Sequence, residues 1–400
     1  MTQRVTARVK HEVLVWARKS AGYRTVEDAA NALKITAENL RGWESGEPLS
    51  LSQLRELARV YKRPLAVLYL QEVPRDFMAL SDLRRHPDNQ GREPSPELIQ
   101  EMRIAQQRRE LALELADDLD ARVPQFSFRV SMTDAPDDAG DAIRKFLEID
   151  LKNISAGVSG ADGRKAFNFW RQRIESAGVL VFQMTKVGSS EASGFAVSHE
   201  LLPIVGINRK DPPTRRLFSL LHEFVHLAVG KSGVSDFELD VTQVTDDDRL
   251  EIFCNRVAAA SLMPKDILLF DSIVAQYSGS STNWSDIDIS TLAKRFGVSR
   301  EALLLRLISF NLTTWKFFQD KREQWKKEYE NSLIEIKSTQ TKSIPRDMPQ
   351  EALSNLGRLF LGLVMNNYHQ DRITLSEVSG YIGIKTRHIR KLDSKLGSTL

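Results

Sequence analysis

The stretch Thr214-Arg-Arg-Leu-Phe-Ser-Leu-Leu-His222-Glu223-Phe224-Val225-His226 decides how this chain is read. On a helix, residues four apart share a face, so both imidazoles reach one metal ion. Glu223 then stands beside that ion, placed to take a proton from a water at the site. Pro212-Pro213-Thr214 supplies a helix start, and Leu217, Phe218, Leu220, Leu221, Phe224, Val225 and Leu227 supply apolar surface. Gly230 closes the helix. The competing reading is a pair of histidines packed in a core.

Tetrahedral catalytic zinc takes three protein ligands and keeps one position open. Glu251 is the candidate third ligand. It lies in Asp246-Asp-Asp-Arg-Leu-Glu251-Ile-Phe-Cys254-Asn255, which continues to Pro264 and reads as a second helix with carboxylates at its N-terminal end. Glu251, Asn255, Ala258 and Ala259 share one face, where small residues let two helices approach closely. The alternative for Glu251 is a solvated first-turn carboxylate. His199, in a loop without supporting spacing, is a weaker ligand candidate. One zinc ion per chain is expected, through His222, His226 and Glu251, with Glu223 as general base.

The run Ser193-Gly-Phe-Ala-Val-Ser-His-Glu-Leu-Leu-Pro203-Ile-Val-Gly-Ile-Asn208, followed by the two-histidine helix, resembles the ImmA/IrrE family of metallo-endopeptidases. The Glu251-x-x-Cys254-Asn255 stretch, ending in Ala-Ser-Leu-Met-Pro264, is similar to that family's glutamate helix; Cys254 stands where alanine is commoner. The match runs motif by motif from about Ser193 to Leu307. The remainder resembles longer members that carry an N-terminal DNA-binding module. The resemblance implies a zinc-dependent peptidase fold, with an edge strand beside the active helix on which a peptide can lie.

Composition fits a globular protein: hydrophobic residues are 42% of 400 and charged residues 27%. That length predicts two or three domains. A single cysteine excludes an internal disulfide framework. No charged-then-apolar leader and no long apolar run occur, so the expectation is a cytoplasmic protein without a membrane segment. The net charge of +3 hides an uneven distribution. Residues 1 to 70 hold twelve Lys or Arg against seven Asp or Glu, whereas Asp236 to Glu251 holds seven acids and one Arg. A basic end and an acidic catalytic neighbourhood imply two different partners.

Residues 1–72 read as a helix-turn-helix module. Val9, Val13, Trp16 and Ala17 recur at helical spacing. Thr25 caps a second helix and Thr36 a third, whose Leu40 and Trp43 face the core. Leu51, Leu54, Leu57, Ala58, Val60 and Leu65 to Leu68 complete a five-helix bundle. Thr36, Glu38, Asn39 and Arg41 are the candidates for contact with duplex DNA in the major groove. The module resembles the lambda-repressor-like, or XRE, family, including its Trp43-Glu44-Ser-Gly46 close. Lys34 departs from the usual turn glycine, and Val26 from the polar residue that often opens helix two. A helical bundle used for protein contacts is the alternative.

Ala30-x-x-Leu33-x-Ile35-Thr36-x-x-x-Leu40 is echoed by Ala293-x-x-Phe296-Gly297-Val298-Ser299-x-x-x-Leu303, and again by Ser379-x-x-Ile382-Gly383-Ile384-Lys385-x-x-x-Ile389. The middle copy belongs with the peptidase domain and is not assigned to DNA. The last carries Lys385, Arg387, His388, Arg390 and Lys391 on its second helix, basic enough to touch phosphate and equally suited to a partner or a dimer.

Pro74 to Pro96 and Ser338 to Pro345 read as linkers. Residues 97 to 121 read as a long charged helix with Leu98, Ile104, Leu111, Leu115 and Leu119 on its apolar side. Val179 to Phe182 and Ile204 to Ile207 read as strands. Thr314 to Lys337 reads as an amphipathic helix whose Trp315, Phe318, Trp325 and Tyr329 form a packing seam.

The expected fold class is α+β, predominantly helical: a five-helix bundle at 1–72, linker and long helix at 73–122, a zincin-like peptidase domain with a small sheet at 123–312, and a helical extension at 313–400. The expected function is that of a DNA-binding regulator, a homodimer, whose zinc metallo-endopeptidase domain cleaves or controls a partner protein. That partner would be a repressor or toxin of a mobile-element, phage or toxin–antitoxin operon. The alternative is a non-proteolytic antitoxin or repressor that uses the peptidase fold to bind its partner. No oxyanion-stabilising residue stands out, Tyr277 being a distant candidate.

Overall fold

The computed structural model of the chain describes residues 6–74, 94–120, 123–150, 163–230, 233–235, 246–277, 279, 281–337 and 346–397. At 233–235, 246, 247 and 329–337 it describes backbone alone. Most of the first linker, all of the second, the acidic run from Asp236 to Thr245 and the Tyr329 side chain lie outside the described residues. The chain divides into two compact units, Met1–Arg84 with Asn89–Gln106, and Arg85–Asp88 with Gln107–Leu400. It is predominantly helical, with small sheets.

In the first unit, α1 (His11–Ser20), α2 (Val26–Leu33), α3 (Ala37–Glu44) and α4 (Leu51–Val60) surround a core that includes Leu14, Leu40, Leu54, Leu57 and Tyr61. The hydroxyls of Thr25, Thr36 and Ser50 accept from the backbone N–H groups of Asp28, Asn39 and Gln53. Each thereby satisfies one of the donors that a helix start leaves without an intrahelical partner. Leu65–Tyr69, where a fifth helix was expected, is a 3-10 turn opened by Pro64. β1 (Thr6–Ala7) pairs with β2 (Leu49–Ser50).

The long helix α5 (Pro96–Asp118) begins in this unit and ends in the second. Its buried stripe is Leu98, Met102, Ala105, Ala112, Leu115 and Ala116. Ile104, Leu111 and Leu119, expected on the apolar side, are only half-buried. In the second unit its Arg109 donates to the carbonyls of Leu201 and Leu202.

The second unit is built around a four-stranded sheet in the order β3-β5-β4-β6, made of β3 (Leu180–Met184), β4 (Gly194–Val197), β5 (Ile204–Asn208) and β6 (Gly233–Ser235). β3 runs parallel to β5, and β4 lies antiparallel to both β5 and β6. β3 and β5 are buried throughout, which fits their mostly apolar sequences, with Gln183 and Asn208 the buried polar exceptions. Gly206 stands opposite Phe195, and the phenyl ring fills the place a Cβ would take, 2.1 Å from its Cε1. The strand beside the two-histidine helix is β4, and it is an interior strand. β6 pairs with the outer side of β4 and is the edge strand on that side of the described sheet.

Two helices carry the candidate ligands. α8 (Pro213–Val229), preceded by α6 (Pro136–Phe146) and α7 (Arg164–Ser176), starts with proline in its first turn. It ends at Gly230, whose φ of 78° is the left-handed conformation of a helix C-cap. Its residues from Ser219 to Ala228 are all buried, so it is a core helix. α9 (Asp246–Leu262) packs on α8 and on α6. A Cβ at Gly140 of α6 would lie 2.9 Å from the Ala260 carbonyl carbon, so only glycine permits that approach.

Beyond α10 (Lys265–Leu269), α11 (Asp286–Phe296) and α12 (Arg300–Ser309) form the middle helix-turn-helix-like unit. In α13 (Trp315–Lys337), Phe318 and Trp325 are buried, but Trp315 is 58% exposed and so lies off the seam. The chain then forms α14 (Met348–Leu356), α15 (Arg358–His369), α16 (Leu375–Ile382), a 3-10 turn (Thr386–His388) and α17 (Ile389–Gly397). The single basic helix expected after Gly383 is therefore that short turn plus α17. No helix among the described residues is long and apolar enough to cross a membrane.

α14 and α15 dock beside the sheet and on α7 through charge. Arg209 meets Glu351 at 2.6 Å with two nitrogens. Glu175 accepts from Arg171 Nε at 2.8 Å and from the Arg358 N–H at 2.9 Å, and Arg171 also donates to the carbonyls of Ser354 and Val181. Gly357 has no room for a Cβ, which would fall 2.1 Å from Glu175 Oε1. Burial pushes the Glu175 carboxyl above the usual range, against the lowering effect of Arg171.

Candidate metal centre

α8 sets the Nε2 atoms of His222 and His226 3.0 Å apart. α9 brings the Glu251 carboxylate across, one oxygen 3.0 Å from His222 Nε2 and the other 3.1 Å from His226 Nε2. The three side chains are 1%, 2% and 6% exposed. Among the described residues this is the one group of three or more His, Cys, Asp or Glu whose ligand atoms converge within 4.8 Å.

The donor chemistry fits a metal ion. Asn255, one turn after Glu251, places Oδ1 2.9 Å from His222 Nδ1. An amide oxygen only accepts, so this contact holds the imidazole proton on Nδ1 and leaves Nε2 as a lone pair directed at His226 and Glu251. Two imidazole nitrogens and a carboxylate at such separations repel unless a cation or proton lies among them. This is a ligand set that a divalent transition metal such as zinc takes. Replacing Asn255 with Ala is expected to weaken metal affinity about 10- to 100-fold by releasing the His222 ring. Competition with a chromophoric chelator measures it, and an affinity within about threefold of wild type would remove Asn255 from the site.

Glu223 lies outside the ligand group. It is wholly buried and faces β4, where a Cβ on Gly194 would sit 2.7 Å from its Oε1. The missing side chain at Gly194 is therefore the space its carboxylate occupies. Glu223 stands next to a ligand in sequence and packs against Gly194 of β4 instead of joining the three converging side chains.

The glutamate helix is tied down at its far end. Arg144 on α6 donates to the carbonyls of Ala260 and Ser261, and Arg306 on α12 to that of Met263. These cations meet the negative end of α9 and satisfy carbonyls that a helix end leaves open. Arg306 in turn pairs with Asp137. Burial, reinforced by Arg306, lowers the Arg144 pKa to about 10, which leaves it charged at neutral pH.

The other candidates are placed elsewhere. His199 does not join the metal group, and burial followed by the Arg109 charge lowers its pKa to about 4, so it is neutral at physiological pH. The Tyr277 hydroxyl meets Asp288 at 2.5 Å and accepts from the Ser285 N–H, and its ring stacks 3.9 Å from that of Trp284. Its hydroxyl thereby ties the start of α11. In the first unit, Thr36 is the cap of α3, Glu38 and Asn39 are exposed, and Arg41 pairs with Glu27. The four share the outer side of α3.

Sequence reasoning gave no role to Asn255 beyond its face, or to Gly194. The spacing of Asn255 four residues after Glu251 was the available signal; for Gly194 there was none, because its contact spans strand and helix.

Residues 174–308, about a third of the chain, match the model of the Peptidase_M78 family, described as an IrrE N-terminal-like domain. That match covers β3 to β6 and the helices bearing all four candidate residues. No curated protein matches the chain.

Proposed function

We propose that this chain is a regulatory zinc metallo-endopeptidase that cuts a partner protein, a repressor or a toxin. The carrying observation is the convergence of His222, His226 and Glu251, with Glu223 beside them and outside the ligand set. The match to a peptidase family over the same residues supports it. When bound there, zinc supplies Lewis-acid polarisation of a carbonyl and a water of pKa about 7. His222, His226 and Glu251 hold the metal, and Asn255 fixes the tautomer of His222. Glu223 takes the proton from the attacking water and hands it to the leaving amine.

The first unit contributes duplex-DNA binding in this reading, placing a cytoplasmic homodimer at an operator. Its support is the cap-turn-cap geometry of α2 and α3 with Thr36, Glu38, Asn39 and Arg41 on the outer side.

The metal reading is tested by metal analysis of the purified chain. About one zinc per chain is expected in wild type, with a fall to background in His222→Ala. Equal, substoichiometric zinc in both proteins would end the proposal.

A further inference from the structure

The three repeated units share one backbone turn and differ in what they present beyond it. Lys34, Gly297 and Gly383 occupy the same place and all adopt the left-handed conformation, with φ of 59°, 69° and 76°. The next buried anchors also correspond: Leu40, Leu303 and Ile389 are each at most 2% exposed. The turn residue and the buried anchor therefore correspond in all three units, while between them the last unit forms the 3-10 turn Thr386–His388 where the first already has α3. In a helix-turn-helix, the residues that meet DNA lie at the start of the second helix and on its outer side.

In the middle unit those positions are Ser299, Glu301, Ala302 and Leu304. Leu304 is wholly buried and the exposed Glu301 lies 3.8 Å from Arg322 of α13, so no uncompensated cations stand there. In the first unit they are Thr36, Glu38, Asn39 and Arg41, one acid and one base, with Arg41 already paired to Glu27. In the last unit they are Lys385, Arg387, His388 and Arg390. Lys385, Arg387 and Arg390 are exposed, and among the described residues none of them makes an ion pair. The nearby carboxylates are committed elsewhere. Asp347 takes Lys391 and Lys395, Asp393 meets His369, and Glu377 caps α16 with Thr374. On the preceding helix, Gly380 has open space where a side chain would stand. Three exposed cations without ion pairs thus stand on this turn and the start of α17.

We propose that Lys385, Arg387 and Arg390, on the turn and second helix of the C-terminal unit, form a duplex-DNA contact surface. Phosphates neutralise such cations and release counterions in doing so. The DNA major groove admits a helix, whereas the narrow major groove of duplex RNA does not. This contact is independent of the peptidase reading and distinct from the one on α3.

The test uses the full chain and a short random-sequence DNA duplex, titrated across a salt series. Lys385→Ala/Arg387→Ala/Arg390→Ala is expected to lose about tenfold or more in affinity at low salt. The slope of log K against log salt should shrink by roughly 2 to 3, at about 0.9 per lost phosphate contact. Arg387→Lys/Arg390→Lys keeps the charge and should keep the slope, and duplex RNA should compete poorly. A wild-type chain without salt-dependent duplex binding overturns the proposal and leaves this face to an acidic protein. Unchanged affinity and slope in the triple variant overturn it too. Loss of binding in Asn39→Ala/Arg41→Ala alone would then assign the DNA to α3.

Discussion

Glu223→Gln is expected to lower peptide hydrolysis by about a hundredfold or more while zinc content stays at the wild-type level. The substitution changes the chemistry and little else. Glutamine has the same shape, so it fits the space beside Gly194, where a Cβ would come within 2.7 Å of the carboxylate. Its amide cannot take a proton from water at neutral pH. His222, His226 and Glu251 are untouched, because Glu223 is not among the converging ligands. Hydrolysis of a fluorescence-quenched peptide library, read alongside metal analysis, separates the two roles. Undiminished hydrolysis in Glu223→Gln would dismiss the general base. Loss of zinc would mean that Glu223 helps to hold the metal. A wild type that hydrolyses nothing, yet neutralises a partner as well as Glu223→Gln does, would favour the peptidase fold as a binding module.

The second large effect falls on stability. Arg171→Met removes the cation from the Glu175 carboxylate at the seat of α14 and α15, together with the bonds to the Ser354 and Val181 carbonyls. Breaking one side of a buried pair costs about 3 to 5 kcal/mol, because the remaining group keeps its desolvation penalty without its partner. Burial already raises the Glu175 pKa with Arg171 present. For a unit of this size each kcal/mol shifts the melting temperature by roughly 2 to 4 °C, so a fall of about 10 °C is expected by calorimetry. A fall below about 2 °C would show that the docking does not depend on this pair.

The sequence carried the centre of the site because local spacing carried it. His222 and His226 are neighbours on any helix, and Glu251 falls on a second helix whose small residues invite close packing. Strands β3 and β5 were legible as short apolar runs. β4 was not read as a strand from its own four residues, which are too few to establish a period and include a glycine. The pairing of β6 onto β4 depends on a chain return that no local pattern encodes. The buried stripe of α5 was misjudged because alanines, weak hydrophobic signals, take places expected for larger residues. The Arg171–Glu175–Arg358 cluster joins residues more than 180 positions apart, beyond the reach of periodicity.

Cys254 is the chain's only thiol, and it is wholly buried on the helix that supplies Glu251. Alkylating reagents act on the thiolate, and a sealed thiol meets them only during excursions that open the surrounding structure. Its labelling rate is thus a built-in clock for the opening of the Glu251 half of the site. A ligand that binds only the closed form slows that clock in proportion to its occupancy.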